Sequence, residues 1–422
     1  MKILIIGAGG REHALTLCLS NSPYEHEIYA APGNPGIFKI ANRADINTSD
    51  YDQILNYCKN ECIDLVVIGP EQPLSEGLAD ILRAGSFNVF GPSRLAAQLE
   101  SSKDFAKQFM QRHGIPTAAF RTFPSNQIDD AKDYINSGNI PVVLKADGLA
   151  AGKGVIVALS KEEAFNALEE MFGGCFGDAG SNVVIEEFMT GTEASILAIC
   201  DGSDFVCLSS AQDHKRIADN DEGKNTGGMG AYSPAPIVSN EVLDKVKTQI
   251  ISPVLRAMAA EGNPFNGCLY VGLMIEGGDP KVVEFNVRFG DPETQTILSI
   301  FKGDFAGLLY SAAKGRLDNS CISEISDLSS CCIILASGGY PDSFEKGFVI
   351  KGIEEAEKTG AIVFHAGTIE KDGLIQTSGG RVLGVTAVAA NLKEAINAAY
   401  QGVNCISFEK MYYRRDIGFK GL

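Results

Sequence analysis

The first hundred residues alternate short apolar runs with amphipathic ones, and few folds accept that order. KILIIG (2–7), HEIYAA (26–31), DLVVIGP (64–70) and NVFG (88–91) read as strands. Between them, REHALTLCLSNS (11–22), SDYDQILNYCKN (49–60) and LSEGLADILRAG (74–85) read as helices. Strand–helix alternation implies a doubly wound parallel sheet with helices on both faces. Ligands of such sheets bind at the carboxyl ends of the strands. The loops at those ends are GAGGRE, APGNPG, GPEQPL and GPSR, all rich in glycine or proline.

The chain has 422 residues, too many for one core, which implies about three domains of ~100–200 residues each. The balance of 45% hydrophobic and 21% charged residues is that of a soluble globular protein. No run of about 18 apolar residues occurs, so no membrane partner is expected. The net charge of −17 argues against nucleic acid and anionic lipid. Small anions stay open as ligands, provided that basic groups gather locally. The 11 cysteines include no C-x-x-C pair and the histidines number five, which disfavours zinc and suits a reducing cytoplasm. MKILIIGAGGREHA reads as a first strand and its turn, not as a signal peptide.

Five stretches carry chemistry. Residues 145–155, KADGLAAGKGV, lie between the strand-like runs PVVLK and VIVA. Glycines let a backbone approach phosphate closely and lysines supply charge, so the run reads as a lid over a nucleotide triphosphate. It lacks the spacing of a P-loop and leads into a strand, not a helix. In the turn after the first strand, Gly7, Gly9 and Gly10 open a helix whose N–H groups can hold an anion. Glu12 stands where a dinucleotide fingerprint needs its third glycine, which disfavours NAD and favours a phosphate monoester. VVIEEFMTGTE (183–193) ends a strand with carboxylates suited to a nucleoside. In KVVEFNVRFGDPET (281–294), strand alternation puts Glu284, Asn286 and Arg288 on one face and Val283, Phe285 and Val287 on the other. A carboxylate, an amide and a guanidinium in a row suit a magnesium ion followed by an anion. The long loop AQDHKRIADNDEGKNTGGMGAYSPAP (211–236) is functional by its length and charge.

The motifs GGREHA, APGN, GPEQPL, KADGLAAGKGV, AQDHKR, NTGGMGAYSPAP, EFNVRFGDPETQ, HAGT and GGRVLGVTA occur in that order along the whole chain. Together they resemble the phosphoribosylamine–glycine ligase (glycinamide ribonucleotide synthetase) family of the ATP-grasp superfamily. The resemblance implies an α/β multidomain fold. Its parts would be an N-terminal α/β domain (1–101), an ATP-grasp core (102–120 and 189–321), a lid (121–188) and a small α+β C-terminal domain (322–422). It implies ligation of glycine to 5-phosphoribosylamine in purine biosynthesis, with ATP as co-substrate and glycyl phosphate as intermediate. No protein nucleophile is needed, so catalysis would be positioning and charge neutralisation. On this resemblance Lys103 and Lys145 hold ATP phosphates, and the loop with Gly148, Gly152, Lys153 and Gly154 closes over them. Glu186, Glu187 and Phe188 line the adenine, Glu193 takes the ribose, and Glu284 and Asn286 bind Mg2+ or Mn2+. Arg288 and Asp213, the expected catalytic pair, lie with Gly228 and Gly230 near glycine and its acyl phosphate. Gly9, Gly10, Arg11, Asn34 and Glu71 would hold phosphoribosylamine. A second metal's acidic ligand is not evident, because YVGLMIE carries only Glu276, at its far end. Two rival readings are another ATP-grasp ligase or carboxylase, and a nucleotide-binding regulator without turnover.

Overall fold

The structure is a computed structural model that describes residues 1–148, 154–175, 180–323 and 326–422. The N-terminal strands are β1 (Lys2–Gly7), β2 (Glu27–Pro32), β3 (Asn42–Arg43), β4 (Leu65–Ile68) and β5 (Asn88–Phe90). They form one parallel sheet in the order β3-β2-β1-β4-β5, so the order in which strands are added reverses at β1, between β1 and β4. Side chains alternate across it as period two requires. Leu4 and Ile6 enter a core shared with Val271 and Phe285, while Ile3 and Ile5 enter another shared with Leu197 and Phe289. The N-terminal sheet is therefore not cored on its own. Both its faces are sealed by residues far along the chain.

Strands β6 (Phe120–Pro124), β7 (Val142–Ala146), β8 (Val155–Ala158) and β9 (Asn182–Glu187) form an antiparallel sheet in the order β6-β9-β7-β8. The β7–β8 pair is the hairpin expected around the glycine-rich run, with Lys145 opposite Val155. This sheet has a separate core of Phe123, Ile135, Leu144, Leu168 and Ile185. Its helix Lys161–Glu170 starts where Ser160 Oγ accepts from the Glu163 N–H (3.1 Å) and Glu163 reaches back to the Leu159 N–H (2.7 Å). These bonds satisfy N–H groups that a helix start leaves unpaired.

The next strands are β10 (Thr192–Asp201), β11 (Phe205–Cys207), β12 (Gln212–Asp213), β13 (Arg216–Ala218), β14 (Glu222–Asn225), β15 (Gly230–Ser233), β16 (Asn266–Glu276) and β17 (Asp279–Asn286). The antiparallel sheet β11-β10-β16-β17 floors the cleft described below. After β18 (Ser329–Ser337) come β19 (Ile362–His365), β20 (Thr368–Lys371), β21 (Leu374–Thr377), β22 (Arg381–Ala389) and β23 (Met411–Tyr412). The C-terminal sheet runs β12-β15-β18-β22-β19, with β23 also on β18. Residues 212–233, read from the sequence as part of the 189–321 stretch, thus lend two strands to the C-terminal sheet. Edge pairing across a long loop leaves no trace in local periodicity.

A second difference concerns β17. Gly272 faces Glu284 but Leu273 faces Val282, so Val283 is the extra residue of a β-bulge. The bulge resets the alternation. Val282, Phe285 and Val287 are buried in the core, whereas Val283 lines the cleft beside Glu284. Among the described residues no helix is long and apolar enough to cross a membrane.

Candidate active site

A cleft of about 1350 Å³ runs between the lid sheet, the β10–β17 sheet, the N-terminal loops and the C-terminal sheet. Its charged groups fall into clusters. The first rests on the helix Lys103–Arg112, begun by Ser102 Oγ accepting from the Phe105 N–H (3.0 Å). Residues four apart share a helix face, so Lys103 and Lys107 both point into the cleft. Lys103 Nζ donates to the Gly148 carbonyl (2.7 Å), tying the stem of the glycine-rich loop to the helix. Lys107 Nζ lies 2.8 Å from Glu186 Oε2 and Lys145 Nζ lies 3.0 Å from Glu186 Oε1. The latter contact is too skewed to count as a hydrogen bond, and Lys145 donates instead to the Val283 carbonyl (3.0 Å). Glu186 is only 2% exposed. Burial lowers Lys103, and it lowers Lys107 to about 8 against the pull of Glu186. Lys107 and Lys145 share one buried carboxylate and Lys103 lines the same cleft, a local excess of positive charge that suits a polyanion. Gly154 lines the cleft beside this cluster. Gly152 and Lys153 lie outside the described residues.

Strand alternation at the end of β9 turns Glu186 inward and Glu187 outward. Glu187 and Phe188 line the cleft, and Phe188 is 41% exposed. Glu193 follows on β10 and pairs with Lys215 at 2.9 Å. Lys215 also stands 3.7 Å from Glu284 Oε1. Burial alone would raise the Glu284 carboxyl, but Lys215, Lys145 and Lys103 hold it below its ordinary range.

Glu284 and Asn286 present two oxygen donors to the cleft from β17. Among the described residues, Glu284 accepts no hydrogen bond, and Asn286 Oδ1 receives only a long one from Arg288 (3.5 Å). No group of three His, Cys, Asp or Glu side chains forms a ready metal cage among those residues. Two free oxygens beside a polyanion site still fit magnesium, which is held through one or two carboxylates plus substrate phosphates. Glu276 is turned elsewhere, accepting from Thr190 Oγ1.

Arg288 lies two residues beyond the end of β17 and lines the same cleft, but it is already engaged. Its Nη2 lies 2.9 Å from Glu100 Oε1 and its Nε 3.3 Å from Glu71 Oε2. Burial would lower this guanidinium, yet Glu100 and Glu71 hold it firmly charged. Arg11 joins through Glu71 (3.9 Å) and donates to the Phe289 carbonyl (3.3 Å). Asp213, at the end of β12, faces the same space. Its Oδ1 is buried and accepts no hydrogen bond among the described residues. Burial, and then the neighbouring Glu293, push its carboxyl well above the ordinary range. Gly228 must be glycine: its φ is +106°, and a Cβ there would stand 2.8 Å from Asp213 Oδ1. Gly230 is buried in β15, away from the cleft lining.

The N-terminal turn differs from expectation. The Gly9 N–H donates to Glu12 Oε2 (2.6 Å), and Glu12 also binds Arg11. A Cβ on Gly69 would stand 2.1 Å from Glu12 Oε1, so the crevice between β1 and β4 is filled by that carboxylate. The anion at this helix start is the chain's own. Gly9, Gly10 and Asn34 do not line the cleft. Asn34 is a strut that donates to the Ala8 and His365 carbonyls (2.8 and 2.9 Å) and accepts from Gly36 and Ile37. Arg11 and Glu71 do line it.

Sequence reasoning missed several lining residues: Lys107, Glu100, Lys215, Glu293 and Arg381. The four-residue step from Lys103 was a usable signal for Lys107. Arg381 donates to the Asp291 carbonyl (2.7 Å) and pairs with its carboxylate (3.1 Å), a contact across 90 residues with no local signature.

Comparison with known proteins covers nearly the whole chain. Residues 1–100, 101–294 and 330–420 match the N domain, the ATP-grasp (A) domain and the C domain of phosphoribosylglycinamide synthetase. A phosphoribosylamine–glycine ligase of Rhizobium meliloti is 48% identical over all of this chain and 99% of its own length. The crystal structure of phosphoribosylamine–glycine ligase from Thermotoga maritima superposes with a TM-score of 0.86 at 33% identity, covering 99% of this chain and 100% of the other. The biotin carboxylase domain of Hydrogenobacter thermophilus 2-oxoglutarate carboxylase shares the fold at 16% identity, with a TM-score of 0.72 over 98% of this chain and 91% of that one.

Proposed function

Because the chain belongs to the phosphoribosylglycinamide synthetase family, we propose that it joins glycine to 5-phosphoribosylamine, converting ATP to ADP and phosphate. The observation that carries this reading is a single cleft. It brings a cationic polyanion site, two free oxygen donors and an unpartnered carboxyl together with the N-terminal loops. The glycine carboxylate attacks the γ-phosphorus, and the bond to ADP breaks. The amine of phosphoribosylamine then attacks the acyl carbon, loses a proton and expels phosphate. The glycyl phosphate between these steps is a mixed anhydride that must be kept from water, which suits a lid with its own core.

Lys103, Lys107 and Lys145 would hold the phosphates, with the Gly148–Gly154 loop above them. Glu186 spaces Lys107 and Lys145. Glu187 and Phe188 would border the base, and Glu193 the ribose. Glu284 and Asn286 would hold Mg2+ or Mn2+, which when bound neutralises charge on the transferring phosphoryl group. Arg288, steadied by Glu100 and Glu71, faces the acyl phosphate. Arg11 and Glu71 border the end of the cleft that takes phosphoribosylamine, framed by Gly9, Gly10 and Asn34. On this reading the reaction belongs to the cytoplasm, in keeping with free thiols at the ten cysteines whose side chains are described.

Asp213 would take the ammonium group of glycine. An unpartnered carboxyl that burial holds toward its neutral form gains a charge partner when an amine arrives. Asp213→Asn keeps the shape and loses the charge, so the KM for glycine should rise by about 10- to 100-fold, the worth of one charge-assisted hydrogen bond. ATP affinity by calorimetry should hold. An unchanged KM for glycine would remove Asp213 from that role.

The activity is tested by ADP release with freshly made phosphoribosylamine. Turnover should require ATP, a divalent metal, glycine and the amine together. Equal turnover with alanine, with bicarbonate, or with no acid at all would sink the assignment.

A further inference from the structure

The β13–β14 hairpin belongs to neither large sheet; its two strands pair only with each other. A lone two-stranded hairpin is marginal in water, so its order must come from elsewhere. It comes from the last residues of the chain. Arg414 is fully buried (0% exposed) and makes no contact with the cleft itself. Its Nη1 donates to the Arg216 carbonyl and to Asp221 Oδ1, both at 3.0 Å. Its Nε and Nη2 donate to the two oxygens of Asp416 (2.8 and 2.7 Å). Asp416 in turn accepts from the Asn220 N–H (2.8 Å), and Asp219 accepts from the Arg415 N–H (2.8 Å). Tyr412 Oη donates to the Ile217 carbonyl (2.9 Å). Asn220 and Asp221 have φ of +60° and +56°, a conformation that non-glycine residues adopt at a cost. Both are gripped where that cost falls.

The hairpin begins one peptide after Lys215, whose ammonium group holds Glu193 and stands beside Glu284. Asp213 lies just before it. We infer that residues 412–420 are a positioning clamp: the C-terminal segment sets where Asp213 and Lys215 stand in the cleft, and Arg414 is its centre. The clamp acts on the loop of the acid substrate, because the nucleotide lysines sit on other elements. This inference rests on the function proposed above.

Arg414→Met suits the test because Asp221 and Asp416 are 35% and 22% exposed, so neither is left as a buried, unpaired charge. In the full-length enzyme, kcat should fall by about 100-fold, the scale of a 1 Å misplacement. ADP affinity by calorimetry should fall by no more than about tenfold, because the clamp reaches the nucleotide only through the Lys215–Glu193 pair. Hydrogen exchange should quicken in residues 214–227 and stay unchanged in the lid. Arg414→Lys should recover part of kcat, since an ammonium keeps the charge but cannot make the planar fork. Should the methionine variant fail to fold, Tyr412→Phe carries the test with faster exchange in the same segment and a severalfold lower kcat. Normal kcat in a folded Arg414→Met, unchanged exchange in 214–227, or parallel loss of ADP affinity and melting temperature would overturn the clamp. The unaltered enzyme separates the two claims. Its inactivity with glycine would remove the proposed function, whereas its activity beside an equally active Arg414→Met would remove the clamp alone.

Discussion

Glu284→Ala should lower turnover by several kcal/mol of lost transition-state stabilisation, about a thousandfold in rate, and leave the protein folded. Glu284 stands on the cleft side of β17 next to the bulge at Val283, and its side chain is 37% exposed. Its removal opens no core cavity, and substitutions of this kind cost about 0.5 kcal/mol or less in stability. Lys215 keeps its closer partner, Glu193, so no ammonium is stranded. What disappears is one of two oxygen donors suited to a divalent cation. Mn2+ binding in the presence of ADP, followed by electron paramagnetic resonance, should weaken with turnover. Normal turnover at saturating magnesium would exclude Glu284 from the site's chemistry.

Arg288→Met should cost about 3–5 kcal/mol in stability, the usual result of removing one partner from a buried ion pair. The reading from strand alternation made Arg288 an anion binder. The structure makes it also the cation that neutralises Glu100, whose side chain is 8% exposed, and Glu71 at the start of the helix Glu71–Glu76. Burial already raises the Glu100 carboxyl against the pull of Arg288, and without the guanidinium it would rise further. The sign follows from proton binding. A carboxyl whose folded value lies above its unfolded one stabilises the fold most in acid, and that contribution is lost as pH rises through the folded value. The methionine variant should therefore lose most stability near neutral pH and recover part of it as the pH falls through the folded value of Glu100. Melting temperatures across that range decide the matter. A pH-independent defect would mean that Glu100 is not the stranded charge. Arg288→Lys, which keeps the charge, should lose about 1.5–3 kcal/mol of transition-state stabilisation instead, seen in kcat.

Both predictions turn on the same contrast between local pattern and distant contact. Periodicity determined the parallel N-terminal sheet, since a strand or a helix shows its buried face within a few residues. The β7–β8 hairpin was legible for the same reason, and so was the cleft-facing row of Glu284 and Asn286 on β17 with Arg288 just beyond it. The bulge was not. It depends on how β16 pairs with β17, and it moved Val283 to the cleft. Glycine patterns were legible as tight backbone but not as to what fills them. The turn at Gly7–Gly10 reads as an anion site, and only the packed structure shows Glu12 already in it.

The remaining features belong to tertiary structure alone. Glu186 and Glu187 are adjacent, yet one is buried between lysines and the other faces the cleft. That assignment follows from which face of β9 the lid covers. Arg288 with Glu71, Arg381 with Asp291, and Arg414 with the β13–β14 hairpin are charges paired across 217, 90 and more than 190 residues. A charged side chain carries no periodic mark of its partner, and its energy depends on burial and on the geometry of a contact made after the chain has folded. The sequence by itself therefore determined which elements form and which residue types could meet a nucleotide. The tertiary structure decided which charges stand free in the cleft and which are consumed in holding it open.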